Sequence, residues 1–457
     1  MKSNKKRMQS IITAACCACM MLSSTGCDLE KTPDLPEYKQ QDFVLFGFWA
    51  PYELTEESFT LYKQSGLNTM LFVNHSVPSW TSETLHYLGS EATQRSLELC
   101  RKVGLNALPN YGDWYRSRVE GKSFGSTPFS TYDLYGEYKD IIVGMHIADE
   151  PSIGGIPIYG KDSLTADYKS VYDVPYMVNL FPSYADAVRI GGDGYRNYVQ
   201  TYADEVVADF ENNRLLSVDF YPFRTNNMLP DWLTCYNDIA NVAKATNSKQ
   251  SYYIQTAIGN EFQDSLGLDE IRMQVNVAMA FGADWFGFYC YETPRTYTGD
   301  EYEPMYKYCM LKPDGTPSPL YYAVQSELAR ISAFSNAYLS YDWEKLVSVY
   351  GEENSGMNIA FRLMGEADFT DTAIKSVTAS HDTIVGCFDS EYGEAFMLVN
   401  YENPVLQQSS SVEMEFTKGE YAAVYGKDQA PQIIKLEKGK LQLELGVSEG
   451  LFVTLFL

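Results

Sequence analysis

FVLFGFWAPYELTEESFTLYKQSGLNTMLFVNH (43–75) decides the fold. An apolar run of strand length, FVLFGFWA (43–50), passes into TEESFTLYKQSG (55–66), whose apolar residues recur at helical spacing. Thr55 reads as its N-cap and Gly66 as its C-cap. A second run, NTMLFVNH (68–75), follows at once. Continuous apolar strands joined by an amphipathic helix are the pattern of parallel strands buried on both faces.

Outward from this unit the rhythm repeats. Further strand-like runs lie at 105–112, 141–151, 174–182, 214–223, 251–259 and 283–294. Helical stretches lie at 91–104, near 130–138, and at 184–208, 230–247, 268–282 and 319–339. Only the crossover 152–173 lacks a helical pattern. Eight strand–helix units in about 300 residues predict a (β/α)8 TIM barrel over 42–340. An open doubly wound sheet would want a glycine-rich phosphate turn after the first strand, and Phe46-Gly47-Phe48-Trp49 is not one. From Asp342 the helices stop and short runs alternate apolar and polar residues, from KLVSVYGE to EGLFVTLFL. That predicts a C-terminal antiparallel β-sandwich over 341–457.

The N-terminus predicts the compartment. Lys2, Lys5, Lys6 and Arg7 precede an uncharged stretch from Met8 to Leu22, too short to span a bilayer. It ends in Leu22-Ser23-Ser24-Thr25-Gly26-Cys27, which resembles a bacterial lipobox, so Cys27 is the expected lipidation site. Residues 1–27 then read as a lipoprotein signal and 28–41 as a polar tether. The expectation is a bacterial lipoprotein, membrane-anchored and extracytoplasmic. Downstream of it Cys100, Cys235, Cys290, Cys309 and Cys387 form neither a zinc motif nor a disulfide framework, so free buried thiols are expected. Sixty acidic residues against 35 basic give a net charge of −25, which argues against nucleic acid as a partner. Oligomeric state is left open.

In a barrel the reacting groups stand at the C-terminal strand ends. Those ends offer Trp49, Asn74, His75, Asn110, Tyr111, Asp149, Glu150, Asn179, Asp219, Tyr221, Gln255, Tyr289, Tyr291 and Glu292. Carboxylates, amides and aromatics suit sugar chemistry: acids protonate the leaving oxygen and steady an oxocarbenium ion, amides bind hydroxyls, and rings stack on sugars. Nothing in the set requires a metal, and no cofactor is expected. His146 lies inside a strand and reads as a core histidine.

The sharpest motif is Gly144-Met145-His146-Ile147-Ala148-Asp149-Glu150-Pro151, an apolar strand running into two acids. It resembles the strand-4 region of retaining barrel glycoside hydrolases, and AMAFGADWFGFYCYETP (278–294) resembles the strand-8 region of family 42-type relatives. The resemblance implies that Glu150 is the general acid/base, with Asp149 beside it. The clan's strand-7 glutamate is replaced by Gln255. Asp219 and Glu292 therefore stand as candidates for the second carboxylate, and Glu261 is a loop acid expected to be solvated. Trp49, Asn110, Tyr221, Gln255 and Tyr289 would line the carbohydrate substrate. Consecutive Asp-Glu also resembles the substrate-assisted N-acetylhexosaminidases, in which the sugar's own acetamido oxygen attacks; Asp149 and Glu150 would then orient and protonate. The expected function is glycoside hydrolysis. The alternatives are that N-acetylhexosaminidase chemistry and a non-catalytic glycan-binding lipoprotein on a degenerate barrel.

Overall fold

The computed structural model describes residues 33–49, 51–72, 90–109, 136–160, 165–169, 172–225, 227–297, 302–353, 358–365 and 367–456. Cys27, Asn74, His75, Asn110 and Tyr111 lie outside the described residues. Residues 33–36 belong to a separate unit and carry no helix or strand. Everything below concerns the unit from Glu37 onward.

The barrel strands are β1 (Val44–Gly47), β2 (Thr69–Leu71), β3 (Asn106–Leu108), β4 (Met145–Asp149), β5 (Tyr176–Leu180), β6 (Leu215–Asp219), β7 (Lys249–Gln255) and β8 (Trp285–Tyr289). They pair in parallel in the order β3-β2-β1-β8-β7-β6-β5-β4. The two ends of that order also meet. Ala107 bridges Ile142 in parallel, the Ala107 N–H donates to Ile141 across 2.8 Å, and the His146 N–H donates to Pro109 across 2.9 Å. The sheet closes into a cylinder, which excludes the open-sheet alternative.

Inward residues fill the lumen. Phe46, Met177, Leu215, Tyr253 and Trp285 belong to one buried cluster. A Cβ at Gly287 would lie 2.8 Å from the Phe46 ring and 2.9 Å from the Tyr253 ring, so this position on β8 accepts only glycine. The first helix, Glu56–Gln64, starts as its sequence implies: the Thr55 hydroxyl accepts from the Ser58 N–H at 3.2 Å.

Two helical expectations are corrected. The stretch 184–208 is not one helix but two, Ala187–Ile190 and Tyr195–Glu205. Gly191 and Gly194 separate them at φ 86° and 91°, a left-handed conformation that helices exclude. The stretch 319–339 likewise splits into Pro319–Ser332 and Ser335–Tyr338.

Nine strands follow: β9 (Asp342–Val349), β10 (Ile374–Ala379), β11 (Thr383–Ser390), β12 (Gly393–Asn400), β13 (Ser410–Phe416), β14 (Tyr421–Tyr425), β15 (Gln432–Lys435), β16 (Lys440–Leu445) and β17 (Gly450–Phe456). They form an antiparallel sheet of order β9-β11-β12-β17-β14-β15 and a second of order β10-β13-β16. Val385, Phe396, Leu398, Met414, Leu443 and Leu451 pack between them.

The sandwich is joined tightly to the barrel's helices. The Trp343 indole N–H donates to the Ala280 carbonyl at 3.0 Å, and Asn276 donates to the Ser448 carbonyl at 3.0 Å. Glu327, 1% exposed, accepts from Arg330 Nε at 3.0 Å on both oxygens and lies 3.4 Å from Arg272.

Candidate active site

Strand β4 positions the first acids by an irregularity. His146 pairs with Met177 and Ala148 with Val178, so Ile147 is an extra residue, a β-bulge. In an unbulged strand His146, Ala148 and Glu150 would share a face. With the bulge, Asp149 comes level with Asn179, which stands two residues beyond the lumen residue Met177 on β5. Asp149 is thereby aimed inward. Glu150 then turns away from the strand at φ 47°, a conformation uncommon for a residue with a side chain, fixed by its N–H donating to the Asn179 carbonyl at 2.8 Å.

Asn179 ties the second acid to the first. Its Nδ2 donates to Asp149 Oδ1 at 3.0 Å and to Asp219 Oδ1 at 2.9 Å, while its Oδ1 accepts from the Ser217 hydroxyl at 3.1 Å. The amide orientation is thus set by a donor on one side and two acceptors on the other. Asp219 pairs in register with Tyr253, whose ring fills the lumen beneath the acids and whose buried hydroxyl has no hydrogen-bond partner among the described residues.

The three acids form an electrostatic gradient. Asp149 is exposed, Glu150 half-buried and Asp219 only 6% exposed. Removal from bulk water by the surrounding protein raises Asp149 above the ordinary carboxylate range, opposed by the Asn179 hydrogen bond. Burial and then the Asp149 charge push Glu150 up to about 7, with Arg189 pulling the other way. Asp219 is raised well above the usual range by burial, then by the charges of Glu150 and Asp149. Glu150 is thus held near neutrality, and Asp149 and Asp219 are both raised.

Aromatic rings stand beside the acids. Tyr221 lies 5.0 Å from Tyr289 and 5.5 Å from Phe262 between ring centroids, and the Tyr289 and Tyr306 hydroxyls are 3.2 Å apart. Tyr184, 40% exposed, packs on Phe220 at 5.0 Å. Tyr184 and Tyr198 both feel the charges of Asp219 and Glu150.

Three expected site residues stand elsewhere. Gln255 is fully buried; its Nε2 donates to the Phe223 carbonyl at 2.9 Å and its Oε1 accepts from the Phe223 N–H at 3.1 Å. Both ends of the amide clamp the chain after β6, and its complete burial keeps it from the open mouth. Trp49 is 8% exposed and packs edge-on against Phe48 at 5.4 Å, so it seals the barrel top and offers no open stacking face. Glu292 is brought to a different neighbourhood. It accepts from the Tyr52 N–H at 3.1 Å and interacts with Glu53 and Arg295, and burial pushes it up to about 8.

Other positions fall as expected. Glu261 is exposed. His146 is buried with neither ring nitrogen hydrogen-bonded among the described residues, and burial pushes it down to about 4. The five cysteines are free and buried. Sequence reading missed the bridging role of Asn179 and the lumen position of Tyr253, although counting back by two from Gln255 places Tyr253 on the same face.

No family model matches the chain, and no curated protein matches it. Solved structures do. An endo-β-1,4-mannanase from Thermotoga petrophila is 12% identical, with 89% of this chain and 92% of that one covered at a TM-score of 0.35. A glycoside hydrolase is 11% identical, with 90% and 92% covered at 0.42. The homocysteine methyltransferase MmuM from Escherichia coli is 14% identical, with 56% and 93% covered at 0.34. Proteins of unlike chemistry thus share this degree of likeness; the fold stands on the strand pairings above, and the chemistry on the residues.

Proposed function

We propose that this chain hydrolyses glycosidic bonds of an oligo- or polysaccharide, outside the cytoplasm, as a lipoprotein held to a membrane through Cys27. One observation carries the reading: the acids at the ends of β4 and β6, with Asp149 and Asp219 bridged by Asn179 and Glu150 raised to about 7 beside Asp149. A general acid works best when its pKa lies near the working pH. Glu150 protonates the departing glycosidic oxygen, the Asp149 carboxylate stabilises positive charge developing on the sugar, and Tyr221 and Tyr289 form the aromatic wall.

The burial of Asp219 favours substrate assistance. A protein nucleophile must reach the anomeric carbon, yet Asp219 is only 6% exposed and is held by Asn179 Nδ2 at 2.9 Å. Asp149 and Glu150 in the opposite states are what an N-acetylhexosaminidase needs: a carboxylate to orient the acetamido group and an acid to protonate. Asp219 then supports the pair from below.

A chromogenic-glycoside and glycan-array screen of the form beginning at Asp28 tests both statements. The expected result is cleavage confined to 2-acetamido sugars, and loss of about 10²–10⁴ in rate in Glu150→Gln with glycan affinity retained. Cleavage of 2-hydroxy glycosides keeps the hydrolase and removes substrate assistance. Glycan binding without any cleavage by the wild type turns the protein into a glycan-binding one.

A further inference from the structure

Arg224 is an unusual residue in this mouth. It lies five positions beyond Asp219, in a short antiparallel ribbon pairing Phe223–Arg224 with Asn227–Met228. Its guanidinium carbon sits 5.1 Å from the Tyr184 ring centroid and 5.1 Å from that of Phe262. Those rings come from the chain after β5 and after β7, so three successive strand-end loops hold one cation in place. Both distances fall within cation–π range. No carboxylate or carbonyl of the described residues pairs with or accepts from it, although the chain has 60 acidic residues. Tyr184 senses Arg224, Asp219 and Glu150 together, so the guanidinium and the acids share this end of the barrel.

An arginine held at cation–π distance from two rings, with no acceptor among the described residues, has its N–H donors available for something else. Those donors form a rigid fork matched to planar or tetrahedral oxyanions. Phe262 continues into the Tyr221–Tyr289 wall. The cation therefore adjoins the aromatic wall. In a surface with net charge −25, a neutral glycan gains nothing from such a group, whereas an anionic one needs it.

We infer that Arg224, held between Tyr184 and Phe262, makes this site one for anionic glycans, reading a carboxylate or sulfate on a sugar beside the bond cleaved. The inference rests on the carbohydrate reading of the site. Arg224 is a specificity residue; it takes no part in proton transfer.

The test uses the Glu150→Gln protein, so that ligands persist, in affinity electrophoresis through gels holding hyaluronan, polygalacturonate or dextran sulfate. Carboxyl-reduced hyaluronan, carboxyl-reduced polygalacturonate and plain dextran serve as neutral counterparts. At least one anionic polymer should retard the protein, at least tenfold more strongly than its neutral counterpart. Hyaluronan or polygalacturonate in that role identifies a carboxylate, and dextran sulfate a sulfate. Adding Arg224→Met, which keeps an unbranched chain between the rings, should erase the difference. Arg224→Lys should keep only part of it, and serves in its place if the Met variant does not fold. Equal retardation by neutral polymers, no retardation by any anionic one, or full discrimination without the arginine overturns the inference. Wild-type cleavage on the same panel reports separately. Cleavage of neutral glycans alone leaves a hydrolase without this specificity, and anionic retardation without cleavage leaves the specificity without a hydrolase.

Discussion

Asp149 and Asp219 accept hydrogen bonds from the same atom, Asn179 Nδ2, at 3.0 and 2.9 Å. Their oxygens are therefore no farther apart than those two distances laid end to end, which is closer than the roughly 6.5–9.5 Å gap of inverting glycosidases. The strand between them supplies the tie, and with it the balance of charge in the site.

Removing that tie should disturb both acids. Hydrogen bonds to charged groups contribute about 1.5–3 kcal/mol each. Asn179→Leu is expected to lower kcat roughly 10- to 100-fold and to raise the acidic limb of the pH–rate profile, because Asp149 loses the bond that favours its ionised form. An unchanged limb in a folded variant would show that Asn179 does not set the Asp149 charge.

The roles of the acids separate by rate. Asp149→Asn should cost about 10²–10³ in kcat, Asp219→Asn markedly less, and Glu292→Gln no more than a few-fold. Glu292 accepts from the Tyr52 N–H and feels the charges of Glu53 and Arg295, a set apart from the other three. A collapse of activity in Asp219→Asn, with accumulation of a covalent glycosyl adduct in the slow hydrolysis step, would instead assign Asp219 as nucleophile.

Both rate and stability should decline on the alkaline side. Folding raises Glu150 from 4.5 to about 7 and Glu292 from 4.5 to about 8. The folded chain then holds these protons more tightly than the unfolded one. Their contribution to stability is complete below about pH 4.5 and is lost as pH rises through 7 and 8. Rate should fall about tenfold per unit above pH 7 as Glu150 loses its proton. Thermal melts from about pH 5 to 9 should show Tm descending, with a shallower descent in Glu292→Gln. A Tm that climbs across that window contradicts the burial of these acids.

The junction between barrel and sandwich depends on a buried ion set. Glu327→Ala leaves Arg330 and Arg272 without their shared partner, and uncompensated buried charge costs about 3–5 kcal/mol. Urea unfolding should show a loss of that order. Gly386→Ala should also fail, since its Cβ would fall 2.2 Å from the Ala280 carbonyl oxygen. A loss under about 1 kcal/mol in Glu327→Ala would mean that the junction is hydrated.

Much of the architecture was legible because parallel strands buried on both faces are continuous apolar runs, and an acid such as Asp149 or Asp219 marks where a run meets the mouth. Facing was not. Which of Asp149 and Glu150 looks inward depends on one unpaired residue, and pairing is not written in the run itself. Gln255 misled because a strand-end amide can serve a neighbouring backbone as readily as a ligand. Arg224 escaped notice because its partners, Tyr184 and Phe262, come from other loops. The strand Ile374–Ala379 was missed because it reads IKSVTA, whose inward residues are few and small. IIKLEKGKLQLELG concealed two strands, β15 and β16, with Gly439 at φ 75° between them.

The extra residue at Ile147 gives β4 two possible phases. In the phase observed, the carboxylate level with Asn179 belongs to Asp149; were the pairing ironed flat, Glu150 would take the inward orientation. Neighbouring acids thus make the opening tolerant of a slip, since either alignment delivers a negative group to it. A fault in the backbone that would silence most catalytic strands would here exchange one acid for another a methylene longer.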